Sequence, residues 1–78
     1  MDTNFIISLD SIADVNAFAN TIAHFKSEID LSSGRYIVNA KSIMGIFSLD
    51  LTRPLNLTVH GKDELEEISS AIAPYLKK

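Results

Sequence analysis

Seventy-eight residues carrying a formal net charge of −3 have room for one core and little for a separate enzymatic cleft. The absence of cysteine excludes disulfides, zinc–thiolate sites and thiol catalysis, and the acidic balance argues against binding to nucleic acid or anionic lipid. A hydrophobic content of 46% is ordinary for a folded domain, so a single domain over 1–78 is expected.

Residues Asn4–Leu9 are mostly apolar (Phe5, Ile6, Ile7, Leu9) and predict a buried strand. Ser11 is a candidate N-cap. Behind it, Ile12, Val15, Phe18 or Ala19, Ile22 and Phe25 recur at helical spacing and predict a helix over 12–26. Asp10 and Asp14 stand where the helix dipole favours carboxylates. Glu28–Ser32 alternates polar and apolar residues, Ser32-Ser33-Gly34-Arg35 is turn-like, and Tyr36–Asn39 supplies a return strand. Ser42 can cap a short helix over 43–50. Thr52-Arg53-Pro54 is a turn. Leu55, Leu57 and Val59 then alternate with Asn56, Thr58 and His60 in a half-exposed strand. Asp63 and Glu66 have capping-box spacing, and Leu65, Ile68, Ile72 and Leu76 mark one face of a last helix over 63–76. Pro74 has no N–H to give the Ser70 carbonyl, so that helix should end or kink near Ala73–Pro74. The order β-α-β-β-α-β-α predicts an α+β fold with one antiparallel sheet and its helices on a single face.

No apolar run approaches ~20 residues, so no membrane span is expected. The start of the chain has Asp2 and no basic region ahead of an apolar stretch, unlike a signal peptide, and a cytoplasmic placement is expected. Only His24 and His60 offer imidazole, and neither has a ligand partner at metal-site spacing. Both read as ordinary surface or cap residues. The run Asp63-Glu64-Leu65-Glu66-Glu67 reads as a solvated first turn. No nucleophilic triad or glycine-rich phosphate loop is visible, and no cofactor is expected.

Residues 39–49, Asn-Ala-Lys-Ser-Ile-Met-Gly-Ile-Phe-Ser-Leu, resemble the regulatory-serine segment of HPr, the histidine-containing phosphocarrier family of the bacterial sugar phosphotransferase system. Phe25-Lys-Ser-Glu-Ile29 and Gly61-Lys-Asp-Glu64 fall near similar residues of that family, so the likeness spans nearly the whole chain. It implies an open-faced β-sandwich with a four-stranded antiparallel sheet and three helices on one face. The turn before the last strand is about two residues shorter than the family's usual pattern, a change that a surface loop accommodates.

The likeness fails at the family's Gly-Leu-His-Ala-Arg-Pro motif. Counting back from Phe25-Lys26-Ser27 places Ser11 at the phosphohistidine, Ala13 at the arginine and Asp14 at the proline. Residues 1–23 contain no histidine, arginine or proline at all. A serine ester does not pass on its phosphoryl group as a phosphoimidazole does, and Asp10 and Asp14 oppose an anion. Ser11 therefore reads as a helix cap in preference to an altered phosphorylation site, and no catalytic residue is assigned. Ser42 matches the regulatory serine, with Lys41 beside it to help screen a phosphate. Ile43, Met44 and Phe47 match the segment that helps dock partner proteins in the family, although at least one should point inward. The resemblance thus implies a non-enzymatic regulatory or partner-docking module whose partners are proteins, such as a serine kinase or a catabolite-control transcription regulator. Two alternatives stand beside it, an active phosphocarrier in sugar uptake and a decayed paralogue with no phosphotransferase role.

Overall fold

Apolar and polar residues alternate strictly over 55–60, and that alternation organises the sheet. A computed structural model describes residues 2–76. Its elements are β1 (Asp2–Ile7), α1 (Ile12–Ile22), β2 (Glu28–Ser33), β3 (Tyr36–Asn39), α2 (Ile43–Phe47), β4 (Leu55–His60) and α3 (Leu65–Ile72), then a 3-10 turn, Ala73–Tyr75. The strand order is β1-β4-β2-β3, with every neighbouring pair antiparallel. The last strand in sequence is therefore inserted between the first two.

In this register Leu57 lies between Phe5 and Leu31, and Val59 between Thr3 and Ile29. Those side chains share one face. Val15, Phe18, Ala19 and Ile22 of α1, Ile46 of α2, and Ile68 and Ile72 of α3 join them in the core, each at most 3% exposed. Burying one such large aliphatic or aromatic side chain contributes ~1.5–3 kcal/mol. The other face carries Asn4, Thr58, Asn56 and Ser32 and is left open. Asn4 Oδ1 accepts there from Thr58 Oγ1 at 2.7 Å. This is the α+β architecture that the patterning predicts. The hairpin joining β2 and β3 turns on Gly34 and Arg35. Gly34 has φ +60° while Arg35 keeps a negative φ, the pattern of a type II′ turn.

The first strand departs from expectation. Composition predicts a buried strand over Asn4–Leu9, but β1 is an edge strand and Ile6 is 49% exposed on the open face. An apolar run concealed a two-residue alternation, in which Ile7 faces the core and Ile6 does not. Leu9 is buried, but it lies beyond the strand. The segment after Pro74 meets the C-terminal end of β1: Ser8 N–H donates to the Tyr75 carbonyl at 2.8 Å, and Ile7 bridges Leu76. Pro74 makes this possible. It ends α3, tightens Ala73–Tyr75 into the 3-10 turn, and leaves Leu76 extended at φ −61°, ψ 136°. Tyr75 also meets Phe18 edge-to-face, with ring centroids 5.6 Å apart.

All three helices are shorter than their periodicity predicts. α1 stops at Ile22 instead of Lys26 because its end tightens: His24 N–H donates to Thr21 and Phe25 N–H to Ile22. The next two amides turn away to Glu64. Its Oε1 accepts from Lys26 N–H at 2.8 Å, Ser27 N–H at 2.7 Å and Ser27 Oγ at 2.9 Å. α2 ends at Phe47 instead of residue 50, where Ser48 Oγ and Ser48 N–H both donate to the Gly45 carbonyl. The capping box expected at Asp63 and Glu66 does not form. Glu64 is the N-cap residue of α3, and it makes no side-chain cap bond because its carboxylate serves Lys26 and Ser27.

The three donors on Glu64, led by the Ser27 N–H and then the Ser27 hydroxyl, hold its carboxyl below the ordinary value of 4.5. Its contribution to stability is thus present above that value and lost as pH falls through the lower, folded one. Glu64→Gln is expected to lower the thermal midpoint at pH 7 and to converge with the parent protein in acid. Equal midpoints at pH 7 would contradict the bridge.

Candidate functional site

Two serines begin helices in this fold, and both are capped in the same way. Ser11 is extended at φ −148°, ψ 166°, and its Oγ accepts from Asp14 N–H at 3.1 Å. Asp14 Oδ2 reaches back to accept from Asp10 N–H at 3.2 Å. This reciprocal pair resembles a capping box shifted by one residue. It satisfies the Asp10 and Asp14 amides at the start of α1 from within, using one carboxylate, that of Asp14, and the Ser11 hydroxyl. Ala13, in the first turn, has no side chain able to hold an anion. An incoming phosphate would meet Asp10 and Asp14 there, and no basic side chain donates to these groups among the described residues.

Ser42 has φ −96°, ψ 107°, and its Oγ accepts from Gly45 N–H at 3.1 Å. Behind it, α2 is pinned by Ile46, which is fully buried. A Cβ on Gly45 would stand 3.2 Å from Val38 Cβ and from Ser42 Oγ, so glycine lets α2 settle onto β3. The three apolar residues singled out from sequence divide. Ile43 is half-buried and packs against the core, whereas Met44 is 81% exposed and Phe47 41% exposed. Ser42 itself is exposed. Lys41 does not turn to Ser42: its Nζ donates to the Phe25 carbonyl at 2.6 Å, tying the segment before α2 to the end of α1.

The remaining candidates lie elsewhere. His24 follows α1 at the end opposite Ser11, roughly 20 Å along the helix at 1.5 Å per residue. Arg53 is 3.7 Å from Asp50, and with Arg35 it lines a cleft that includes Ser33, Tyr36 and Ser48. His60 is more than a surface residue at a strand end. Its Nδ1 lies 3.0 Å from Asp2 Oδ1 and its Nε2 2.7 Å from Asp30 Oδ2. Sequence spacing missed that arrangement and the Glu64 bridge because both join residues about thirty or more positions apart. For His60 a signal existed: once β1, β2 and β4 are known to be adjacent, alternation puts Asp2, Asp30 and His60 on one face. Among the described residues no group of three or more His, Asp or Glu side chains is placed to hold a metal ion, and no helix is long and apolar enough to cross a membrane.

A family model described as the phosphorylation site of the PTS HPr component matches residues 14–78. The match begins downstream of Ser11. Three solved structures are similar. HPr-C-His from Thermoanaerobacter tengcongensis is 31% identical, with a TM-score of 0.74 over 95% of this chain and 88% of that one. A phosphocarrier protein HPr from Bacillus anthracis is 28% identical, with a TM-score of 0.70 over 99% of this chain and 96% of that one. A histidine-containing phosphocarrier protein from Mycoplasma is 16% identical, with a TM-score of 0.69 over the full length of both chains, and supports the fold alone. The search of curated proteins found no match.

If Ser11 is a working cap, Ser11→Ala should cost ~1 kcal/mol in urea denaturation, and Ser11→Asn should recover most of it. An unchanged midpoint in Ser11→Ala would remove that role.

Proposed function

From the premise that the chain belongs to the HPr family of the phosphotransferase system, we propose that it is a regulatory, partner-docking member that no longer carries phosphate on histidine. The family consists of phosphocarriers and not of enzymes. The single observation that carries this reading is the state of the α1 start. Ser11 stands there as a cap between Asp10 and Asp14, and no imidazole or guanidinium lies anywhere in residues 1–23. A carrier needs a nucleophile whose phosphoryl bond stays reactive and donors that hold the anion. Here the Ser11 hydroxyl and the Asp14 carboxylate accept from the Asp14 and Asp10 amides, and among the described residues no basic side chain joins them to hold an anion.

What survives is the α2 segment. Ser42 is exposed and starts the helix, and Met44 and Phe47 present apolar surface beside it. In the reading proposed here a serine kinase modifies Ser42, and a cytoplasmic protein of the catabolite-control kind docks on Met44 and Phe47. Ile43 contributes less, because it packs inward. α2 has five residues, so its dipole is short. A phosphate on Ser42 would rest chiefly on the first-turn N–H groups, which have no intrahelical partners. Adding ~1.5–2 negative charges there changes the charge of the docking surface more than its shape. The rival reading, an active carrier, draws on the phosphocarrier names of the similar structures, and would have to use Ser11 or a histidine distant from it.

Incubation with a cognate HPr serine kinase and ATP, followed by site mapping, tests the proposal. Phosphate is expected on Ser42 and absent in Ser42→Ala. Met44→Asp should weaken binding of the phosphorylated protein to its regulator by at least tenfold without shifting the unfolding midpoint, since the side chain is exposed. A kinase that modifies an HPr control and leaves this chain untouched would refute the role of Ser42.

A further inference from the structure

β4 ends on the open face of the sheet at His60, and the register sets its neighbours. Asp2 of β1 lies opposite on one side, Glu28 of β2 on the other, and Asp30 two residues along β2. The imidazole spans the gap, with Nδ1 3.0 Å from Asp2 Oδ1 and Nε2 2.7 Å from Asp30 Oδ2. Ionised carboxylates only accept hydrogen bonds, and a neutral imidazole has a single N–H to donate. In the neutral state one nitrogen must therefore turn a lone pair toward a carboxylate. The imidazolium donates to both at once.

We propose that His60 is a protonation-controlled clasp: as imidazolium it ties the edge strand β1 to β2 across β4, and on losing its proton it lets one of the two go. The strand released is β1. The Asp30 contact is the shorter, and the Asp2 side chain is the more exposed of the two carboxylates, at 56% against 39%.

Other charged groups near the ring belong to three segments. Glu28 of β2 adds negative charge beside Asp30. Lys26 before β2, and Lys62, Asp63 and Glu64 after β4, line the same shallow cleft as His60. The Glu64 carboxylate there is already occupied by Lys26 and Ser27. His60 is held above its ordinary value of 6.5, first by the hydrogen bond to Asp30 and then by that to Asp2. A raised value in the folded state means that the stabilisation is complete below about 6.5 and is lost as pH rises through the folded value. About a third of the ring is exposed, so salt should weaken the effect.

NMR titration of His60 tests the clasp. His60 is expected to titrate above 6.5, and Asp30→Asn should lower its midpoint more than Asp2→Asn does. From pH 6 to 9 the urea midpoint should fall more in the parent protein than in His60→Gln. Over the same range the amide protection of β1, corrected for intrinsic exchange, should drop severalfold relative to the β2–β3 hairpin. The clasp is overturned if His60 titrates at or below 6.5, or if His60→Gln shows the parent's pH dependence.

Discussion

The two-sidedness of β4 is the constraint on which the rest of the molecule depends. Leu55, Leu57 and Val59 are buried on the face of β4 that the helices cover, with a strand on each side of it. A slip of one residue would put them in water and bring Asn56, Thr58 and His60 into the core. That register decides where everything else lies. It leaves β1 at the edge of the sheet, where Tyr75 and Leu76 meet its C-terminal end at Ser8 and Ile7. It puts the polar ladder of Asn4, Thr58 and Asn56, and the His60 cluster, on the face without helices. Both capped helix starts lie outside the sheet, so their serines can change without disturbing the core.

Much of this was legible along the chain. Period-two alternation in β4, helical spacing in α1 and α3, and Pro74 as a stop signal all report local physics, and local physics is written in neighbouring residues. The rest has two causes. Distant partners are invisible to spacing: Lys26 and Ser27 give their amides to Glu64, 37 or more positions away, which takes Glu64 from the capping of α3, and Lys41 donates to a backbone carbonyl of the α1–β2 connection instead of turning to Ser42. Local signals can also be masked: adjacent apolar residues hide the alternation that leaves Ile6 outside the core, and Ser48 ends α2 through the Gly45 carbonyl.

At the candidate site the sequence was informative about what is missing and less so about what replaces it. The lack of histidine, arginine and proline over residues 1–23 needed no coordinates. The structure adds that the Ser11 hydroxyl and the Asp14 carboxylate accept there from the Asp14 and Asp10 amides. The α2 segment shows the opposite balance. Its likeness to the family was plain, but only packing separates Met44 and Phe47, which face outward, from Ile43 and Ile46, which hold the helix down. An α1 start with no imidazole or guanidinium and with Asp10 and Asp14 flanking its serine, in a chain whose α2 start keeps an exposed Ser42 with Met44 and Phe47, supports a member recognised by partners over one that carries phosphate.

Intact-mass measurement after incubation with enzyme I and phosphoenolpyruvate bears most directly on this account. An HPr control should gain one acid-labile phosphate, while this chain should keep its mass under the same conditions. An acid-labile phosphate on this chain, at Ser11 or at either histidine, would contradict the claim that its carrier function is gone.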